Sequence, residues 1–510
     1  MNELPKAKNL PATRRSFLSA GVAAAFALSN TRLFAADGKQ VELTALSMLD
    51  VIEGTKAGRV DPVAYVDALL ERNTRLVGLN AFISQDAEQM KAEAQALAAR
   101  LQRRVELGPL GGAVIAFKDN IDVKGYATTG GTPGLQDWHP PADAPVAAAV
   151  RAADALVGGK TNMHELALGI TSNNAHAGPV RNPYDPLLIA GGSSGGTAVA
   201  VSAGLVAAGL GTDTGGSCRI PAAHCGIVGF RPTLHRYSQR GIVPISTTRD
   251  TPGPMARSVR DVVALDAVCA VRRQAPASVV LKGLRLGVPR QYFYDNLDAD
   301  LELVVEASLS RLKRAGAILV EVDLPNVRVL TDAAGFAIAM YEQPRELSAY
   351  LYYSGLPFNA HHVISQVAGK NERERLMQEL DGASTLASEV YQVAMGVHRP
   401  ILQRTYASYF ADNDLAAMVV PTTPMPARPI GQEDTVELNG KQVPTFPTYI
   451  RSTDPPSVAG LPCLTVPGGL TVSGLPVGIE FVGPNDSDAR VLAIGAEFEK
   501  LGAPVAGPPV

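Results

Sequence analysis

The sequence predicts an α/β fold in which one large domain follows a short N-terminal leader. Stretches with strand character, such as 113–117 and 475–482, alternate with helical stretches such as 146–156. Alternation of this kind is the signature of an α/β domain. Hydrophobic residues make up 46% of the 510 residues, which is enough for a large core, and no change of composition divides the chain after residue 36.

The individual elements follow from hydrophobic periodicity and from capping residues. In the first half we expect a surface helix at 87–106, a buried strand at 113–117 that ends at Lys118, an Ala-rich helix at 146–156 with a short strand after it, and a buried helix at 197–210. In the second half we expect strands at 284–288, 318–322 and 475–482, a helix from Asp298 to Ala315, an irregular segment at 421–467, and a last helix from Ser487 to Gly502.

The leader has the composition of a secretory signal peptide. A basic start precedes an apolar segment at 17–28 that is too short to span a bilayer, and small residues follow it. Arg14 and Arg15 give the leader the twin-arginine form. We therefore expect residues 1–36 to direct export through the twin-arginine translocase, and residues 37–510 to form the mature domain in the periplasm or outside the cell.

Charge and cysteine content narrow the class of protein. The net charge is −3, so a role built on binding the phosphate backbone of nucleic acids is not expected. Four cysteines are too few for a disulfide scaffold and lack the spacing of a zinc site, so we interpret them as buried apolar residues. No segment after the leader is long enough to span a membrane, so we expect no stable membrane association. The oligomeric state stays open, a homodimer included.

Two islands of glycine and serine are the most informative part of the sequence. The first is AGGSSGGTAVA at 190–200, and the second is GLGTDTGGSCRIPAA at 209–223. A flexible linker is the ordinary interpretation of GGSSGG, but small apolar residues flank both islands and favour a place in the core. A run such as Thr214-Gly215-Gly216 can aim several backbone N–H groups at one point, as an oxyanion hole requires. Ser217, which ends that run, is placed to attack the same carbonyl group.

A serine hydroxyl needs a base before it can act as a nucleophile. Lys118 ends an apolar strand, and burial there would favour the neutral amine, which can accept a proton. Ser193 in the first island is a candidate to relay that proton. An exposed lysine at a strand end is the alternative that spacing alone leaves open. His164 begins a His-Glu pair without the second histidine of a zinc protease, and no pattern implies a metal ion or an organic cofactor.

The combination of Lys118, GGSSGG and GTDTGGS resembles the amidase-signature family, over nearly the whole mature chain. The separations agree as well, with 75 residues between the lysine and Ser193 and 24 between the two serines. The resemblance implies one domain with a large mixed sheet covered by helices on both faces. It also implies a Ser-cis-Ser-Lys triad. Its residue roles are a Ser217 nucleophile, a Ser193 relay on a cis peptide, a Lys118 base, an oxyanion hole at Thr214, Gly215, Gly216 and Ser217, and a loop supported by Asp213, Ser194 and Arg219.

Two further segments, 160–174 and 231–259, are similar to indoleacetamide and mandelamide hydrolases. That similarity implies a small-molecule substrate, a primary amide of an aryl-acetic acid, which is cut to the acid and ammonia through an acyl-enzyme. Cys218 departs from the pattern, because a branched residue is expected directly after the nucleophile. This departure leaves the preferred substrate open.

Two other function classes remain as alternatives. Gly191-x-Ser193-x-Gly195 matches the nucleophile motif of α/β-hydrolase esterases, with Ser193 or Ser194 as nucleophile and His398 as a candidate base. That interpretation leaves the second glycine island without a role. A periplasmic binding protein without catalytic activity is the other alternative, but a pure binder has no use for a serine beside an oxyanion-type loop. The family's tRNA-dependent amidotransferase subunits are disfavoured by the export signal.

Overall fold

Runs of small and β-branched residues form the strands of one long sheet, and helices rich in Ala and Leu cover it. A computed structural model describes residues 32–34, 40–271, 274–275, 277–380, 387–502 and 506–510. The predicted signal peptide therefore lies outside the described residues, except for 32–34. No helix within these ranges is long and apolar enough to cross a bilayer.

The strands, numbered in chain order, have the following bounds: β1 Arg32–Phe34, β2 Gln40–Glu42, β3 Phe82–Ser84, β4 Val114–Lys118, β5 Leu156–Thr161, β6 Asn173–Asn174, β7 Gly178–Pro179, β8 Ala208–Asp213, β9 Val228–Arg231, β10 Thr251–Ala256, β11 Arg285–Gly287, β12 Ile318–Val320, β13 Ala417–Pro421, β14 Thr435–Leu438, β15 Lys441–Pro444, β16 Cys463–Leu470 and β17 Pro476–Val482.

The α-helices have the following bounds: Met48–Lys56, Pro62–Arg75, Ala87–Gln102, Pro145–Ala152, Gly195–Ser202, Arg219–Cys225, Val259–Cys269, Ala299–Arg314, Val327–Tyr353, Ala360–Ser365, Lys370–Leu380, Ser388–Val393, Arg399–Asp412, Thr445–Ile450, Asp454–Ala459 and Asp488–Glu499. One π-helical turn, Ala394–His398, joins the two helices around it.

Eleven of the described strands form a single mixed sheet in the order β12-β11-β13-β17-β16-β9-β10-β8-β4-β5-β3. Strand β4 runs parallel to both of its neighbours, β5 and β8, whereas β8 and β10 pair antiparallel. The carboxyl ends of β4 and β8 therefore meet at the same edge of the sheet, which is where ligands bind in open α/β sheets.

Helices pack on both faces of this sheet, as the sequence predicts. Alternate residues of β4 belong to different cores, because successive side chains of a strand point to opposite faces. Ile115 and Phe117 pack with the helices Pro145–Ala152 and Val259–Cys269. Val114 and Ala116 pack with helices that include Gly195–Ser202. The prediction of an α/β fold with a covered mixed sheet is confirmed.

Two of the predicted elements are wrong. The segment 197–210 is not one helix, because the helix Gly195–Ser202 ends before Gly204, and β8 begins at Ala208. Gly204 has a φ of 67°, a left-handed conformation that ends a helix. The segment 421–467 is not irregular either, since it contains the β14–β15 hairpin, two short helices and the start of β16.

The remaining predicted elements differ from the structure only in their ends. The helix expected from Asp298 spans Ala299–Arg314, and Asp298 is its N-cap. Lys118, expected at the end of a strand, is the last residue of β4. All four cysteines are buried and none forms a disulfide, as expected from their number and spacing.

Candidate active site

Three segments that are distant in the sequence meet at the carboxyl ends of β4 and β8. Lys118 ends β4, Thr212 lies in β8, and Ser193 directly precedes the helix Gly195–Ser202. The Nζ atom of Lys118 lies 2.7 Å from the Oγ of Ser193 and 2.8 Å from the Oγ1 of Thr212. The peptide bond between Gly192 and Ser193 is cis. The structure thus joins the lysine to the first glycine island.

The side chain of Lys118 is fully buried, so it is not the exposed lysine of the alternative interpretation. A charged amine at this position would need a carboxylate as its partner. Within the described residues, the contacts of Nζ are instead to hydroxyl and carbonyl oxygens. Burial lowers the pKa of Lys118 to about 8, because a charged amine loses its hydration in the interior. The neutral form of the Lys118 amine therefore becomes the major one above about pH 8.

Ser217 lies in a tight turn between β8 and the helix Arg219–Cys225. Gly216 in this turn has a φ of 137°, a conformation that side chains rarely adopt. A Cβ atom at Gly216 would also collide with the hydroxyl of Thr453. Glycine is thus required at this position for the chain to turn and present Ser217, which remains slightly exposed at 7%.

A buried cluster of charged side chains holds this turn in place. Both oxygens of Asp213 accept hydrogen bonds from Arg219 at 3.0 Å, and Arg231 donates to the same carboxylate at 3.1 Å. Arg219 also donates to Glu480 of β17 at 2.7 Å. Burial alone would raise the pKa of Asp213, but the two guanidinium groups hold it well below its usual range. Asp213 is therefore ionised and holds both ends of the turn.

The backbone N–H groups of the turn differ in whether they already have a hydrogen-bond acceptor. Gly216 donates its N–H to Asp213 at 2.9 Å, which removes it from the oxyanion donors that the family pattern implies. In the described part of the chain, no hydrogen bond uses the N–H of Thr214, Gly215 or Ser217. These three groups stay available to a substrate oxygen.

Ser194 connects the two glycine islands. Its N–H donates to the carbonyl oxygen of Ser217 at 3.2 Å, and its hydroxyl donates to the carbonyl oxygen of Thr212 at 3.1 Å. Its position next to Ser193 therefore couples the lysine side of the site to the turn. Cys218 is fully buried under the turn, with its Sγ 3.7 Å from the carbonyl oxygen of Gly253 in β10, so it supports the turn and packs against the sheet.

Sequence reasoning missed several residues of this site. Thr212 contacts Lys118, and Asn120 donates to the hydroxyl of Thr212 at 3.1 Å. Arg231 and Glu480 complete the charge cluster. Thr212 lies within the second island and could have been suspected from its place there. No local signal points to Glu480, which is 261 residues from its partner Arg219.

A small apolar cavity adjoins Ser217. Its volume is about 100 Å³, and its walls include Leu168, Ile170, Phe336 and Met340. A second cavity of about 820 Å³ shares Thr214 with the first. It is more polar, and it borders Asn120 and Thr212 on the lysine side of the site. The site is therefore open to a ligand from two directions.

In the described part of the chain, no histidine side chain forms a hydrogen bond with Ser193 or Ser217. The backbone N–H of His164 donates to the carbonyl oxygen of Ser193 at 3.1 Å, which is a contact of the main chain. The esterase motif requires a strand that leads into Ser193, but the residues before it carry only isolated bridges at Leu188 and Ile189. Within the described ranges, no group of three or more His, Cys, Asp or Glu side chains is arranged to hold a metal ion.

Comparisons with known proteins identify the family of this chain. The family model for amidases matches residues 64–492. Indoleacetamide hydrolase from Allorhizobium ampelinum is 41% identical over 438 residues, which cover 86% of this chain and 93% of that protein. Mandelamide hydrolase from Pseudomonas putida is 38% identical over 486 residues, covering 92% of this chain and 93% of that protein.

Solved structures show the same relationship. Native peptide amidase from Stenotrophomonas maltophilia superposes with a TM-score of 0.79 at 30% identity, covering 91% of this chain and 98% of that one. A crystal structure described as an amidase also has a TM-score of 0.79, at 34% identity over 89% of this chain and 99% of that one. The chain therefore belongs to the amidase, or amidase-signature, family, and it is a hydrolase that acts on amide C–N bonds.

Proposed function

We propose that this enzyme hydrolyses primary amides of aryl-acetic acids to the acid and ammonia, through an acyl-enzyme on Ser217. The observation that carries the proposal is the buried amine of Lys118, 2.7 Å from the hydroxyl of Ser193. An amine in that position can take the proton of a serine only if it is neutral, and its lowered pKa of about 8 supports this.

The proposed acylation step moves one proton along a chain of two hydroxyl groups. The Oγ of Ser217 attacks the amide carbonyl carbon and gives its proton to Ser193, whose own proton passes to the Nζ of Lys118. The oxygen of the tetrahedral intermediate takes the negative charge. It accepts hydrogen bonds from the N–H groups that the protein leaves unused at Gly215 and Ser217, with Thr214 beside them.

The same groups then return the proton, first to release ammonia and afterwards to hydrolyse the acyl-enzyme. The Lys118 ammonium returns its proton through Ser193 to the amide nitrogen, which leaves as ammonia, and an ester with Ser217 remains. Water then attacks this ester while the lysine again takes a proton. The carboxylic acid leaves and Ser217 regains its hydrogen, so the net reaction consumes one water for each amide bond that is cut.

The cavity beside Ser217 favours a substrate with an aromatic group. Cavities on the order of 150 Å³ with apolar walls hold a benzene ring, and the volume of about 100 Å³ found here is of the same order. The similar proteins named for indoleacetamide and mandelamide support the same choice. We assign the larger, more polar cavity to the entry of water and the exit of ammonia, because it borders Thr212 and Asn120 near the lysine.

An ammonia-release assay over a panel of amides tests this proposal. Phenylacetamide, indole-3-acetamide and mandelamide are compared with acetamide, butyramide and an anilide. Burial of a ring contributes about 1.5–3 kcal/mol, so kcat/KM for the aryl-acetic amides is expected to be roughly ten- to hundredfold higher than for acetamide. Equal values for acetamide and phenylacetamide would contradict the proposed substrate class.

We also propose that the enzyme works in the periplasm or outside the cell. The support is the leader, with Arg14 and Arg15 before a short apolar segment. The twin-arginine translocase is the partner that this leader implies.

A further inference from the structure

One charged side chain stands out on the wall of the cavity beside Ser217. Arg375, from the helix Lys370–Leu380, lines this cavity together with Phe336. Its guanidinium carbon lies 5.9 Å from the centre of the Phe336 ring. Phe336 is 51% exposed, so the two side chains mark the mouth of a cavity whose inner wall is apolar.

Arg375 has no polar partner in the described part of the chain. Its Nε atom is buried without a hydrogen-bond acceptor, and none of the described carboxylates lies within ion-pair distance of the guanidinium. Arg249, the other arginine that lines the cavity, behaves differently. It pairs with Asp454 and donates to the carbonyl oxygen of Thr214 at 3.3 Å. Of the two arginines that line the cavity, Arg249 therefore has polar partners in the protein, whereas Arg375 has none among the described residues.

An unpaired guanidinium at a partly buried site is unfavourable, because it loses hydration without gaining a counter-ion. Burial accordingly lowers the pKa of Arg375, while Glu372 and Glu379 on its own helix oppose this change. A planar guanidinium with free N–H groups matches the two oxygens of a carboxylate, which it can bind through two parallel hydrogen bonds. The missing partner of Arg375 is thus best supplied by an anionic ligand.

We propose that Arg375 is a specificity-determining residue that binds a carboxylate on the ring of the substrate, on the side away from the amide. This inference rests on the proposed function and extends it, from aryl-acetic amides in general to those with an anionic ring substituent. Phe336 packs beside the ring at the mouth of the cavity, and Arg375 meets the anion there. Ser217 acts on the amide at the other end.

Matched substrates and matched variants test this assignment. Phenylacetamides with a carboxylate at the meta or para position are compared with the nitro derivatives, which have nearly the same shape without the charge. Arg375→Gln removes the cation, and Arg375→Lys keeps the charge but loses the planar fork. Lys370→Gln serves as the control, because it removes one positive charge from an exposed side chain on the same helix.

The readout is the ratio of kcat/KM for the carboxylate to that for the nitro compound. We expect this ratio to fall roughly tenfold or more in Arg375→Gln, to take an intermediate value in Arg375→Lys, and to keep the wild-type value in Lys370→Gln. An unchanged ratio in Arg375→Gln, or an equal fall in Lys370→Gln, would overturn the assignment. Circular dichroism of each variant establishes that the proteins compared are folded.

Binding to a protein without the nucleophile separates this inference from the proposed function. Calorimetry with the Ser217→Ala protein measures the affinities for the two compounds without turnover. Tighter binding of the carboxylate that disappears on adding Arg375→Gln supports the inference even if no aryl-acetic amide is hydrolysed by the wild type. Equal affinities with and without Arg375 overturn it, whatever the activity of the wild type.

Discussion

Lys118 and the turn that carries Ser217 lie at the same edge of the sheet because their strands are parallel neighbours. Lys118 ends β4, and the turn with Ser217 begins where β8 ends at Asp213. A strand end combines a rigid support with a backbone that is free to turn, so it suits a group that must be placed accurately. The same position explains why Lys118 can be fully buried and still reach a hydroxyl.

The first prediction at the scale of residues concerns removal of the proposed nucleophile. Ser217→Ala is expected to abolish formation of the acyl-enzyme, because no other hydroxyl follows the glycine turn. The substitution removes one oxygen and leaves little empty space, so the free energy of unfolding is expected to change by about 1 kcal/mol or less. Mass spectrometry after rapid quenching detects the acyl adduct, and thermal unfolding measures stability. Turnover near the wild-type rate would exclude Ser217 as nucleophile.

Site residues that belong to a sequence motif could be predicted. Site residues that reach the site only through tertiary contacts could not. The three residues of the proposed triad and the Asp213–Arg219 pair lie within patterns that a family resemblance can point out. Glu480 could not be found, because it reaches Arg219 only through the pairing of distant strands. The direction of the Gly216 N–H toward Asp213 is likewise a product of the folded turn.

At the scale of elements, helix capping gives a prediction that is independent of the active site. Asp298 accepts hydrogen bonds at 3.1 Å from the N–H groups of Asp300 and Leu301, and it pairs with Arg428 at 2.6 Å. Asp298→Ala is expected to lower the free energy of unfolding by about 0.5–2 kcal/mol, as measured by urea denaturation, with kcat unchanged. Asp298→Asn keeps a capping oxygen and should lose less. Equal losses in both variants would mean that the ion pair, and not the cap, stabilises this helix.

Elements with clear end signals were predicted well, and continuous apolar runs were not. The run at 197–210 contains only small apolar residues and glycine, a composition shared by buried helices and buried strands. Its division into a helix and β8 depends on the left-handed Gly204. The β14–β15 hairpin had a usable signal in Asn439-Gly440, since both residues adopt positive φ there, as two-residue hairpin turns require.

At the scale of the whole molecule, long-range contacts join the two halves of the chain in one structure. Strand β9 from the first half pairs with β16 from the second, and Arg219 pairs with Glu480 of β17. The composition allowed one domain, and the alternation of elements predicted its class. The order of eleven strands could not be predicted, because pairing between residues more than 200 positions apart leaves no local pattern in the sequence.

Another prediction at this scale concerns export of the protein from the cytoplasm. Replacing Arg14-Arg15 by Lys-Lys is expected to keep the full-length protein in the cytoplasm, because the translocase recognises the arginine pair. Cell fractionation followed by immunoblotting measures the distribution of the wild type and the variant. The mature wild type is expected to lack residues 1–36. Normal export of the Lys-Lys variant would rule out the twin-arginine route.

The pH dependence of kcat/KM with phenylacetamide tests the central claim, that a neutral lysine is the base. Lys118 accepts a proton only in its neutral form, so activity should rise with pH and level off above an apparent pKa of about 8, set by the buried lysine and its serine together. Lys118→Arg should lose most activity at every pH, because a guanidinium stays charged throughout this range. A rise near about 6.5, typical of histidine, or full activity of Lys118→Arg with an unchanged profile, would contradict the mechanism.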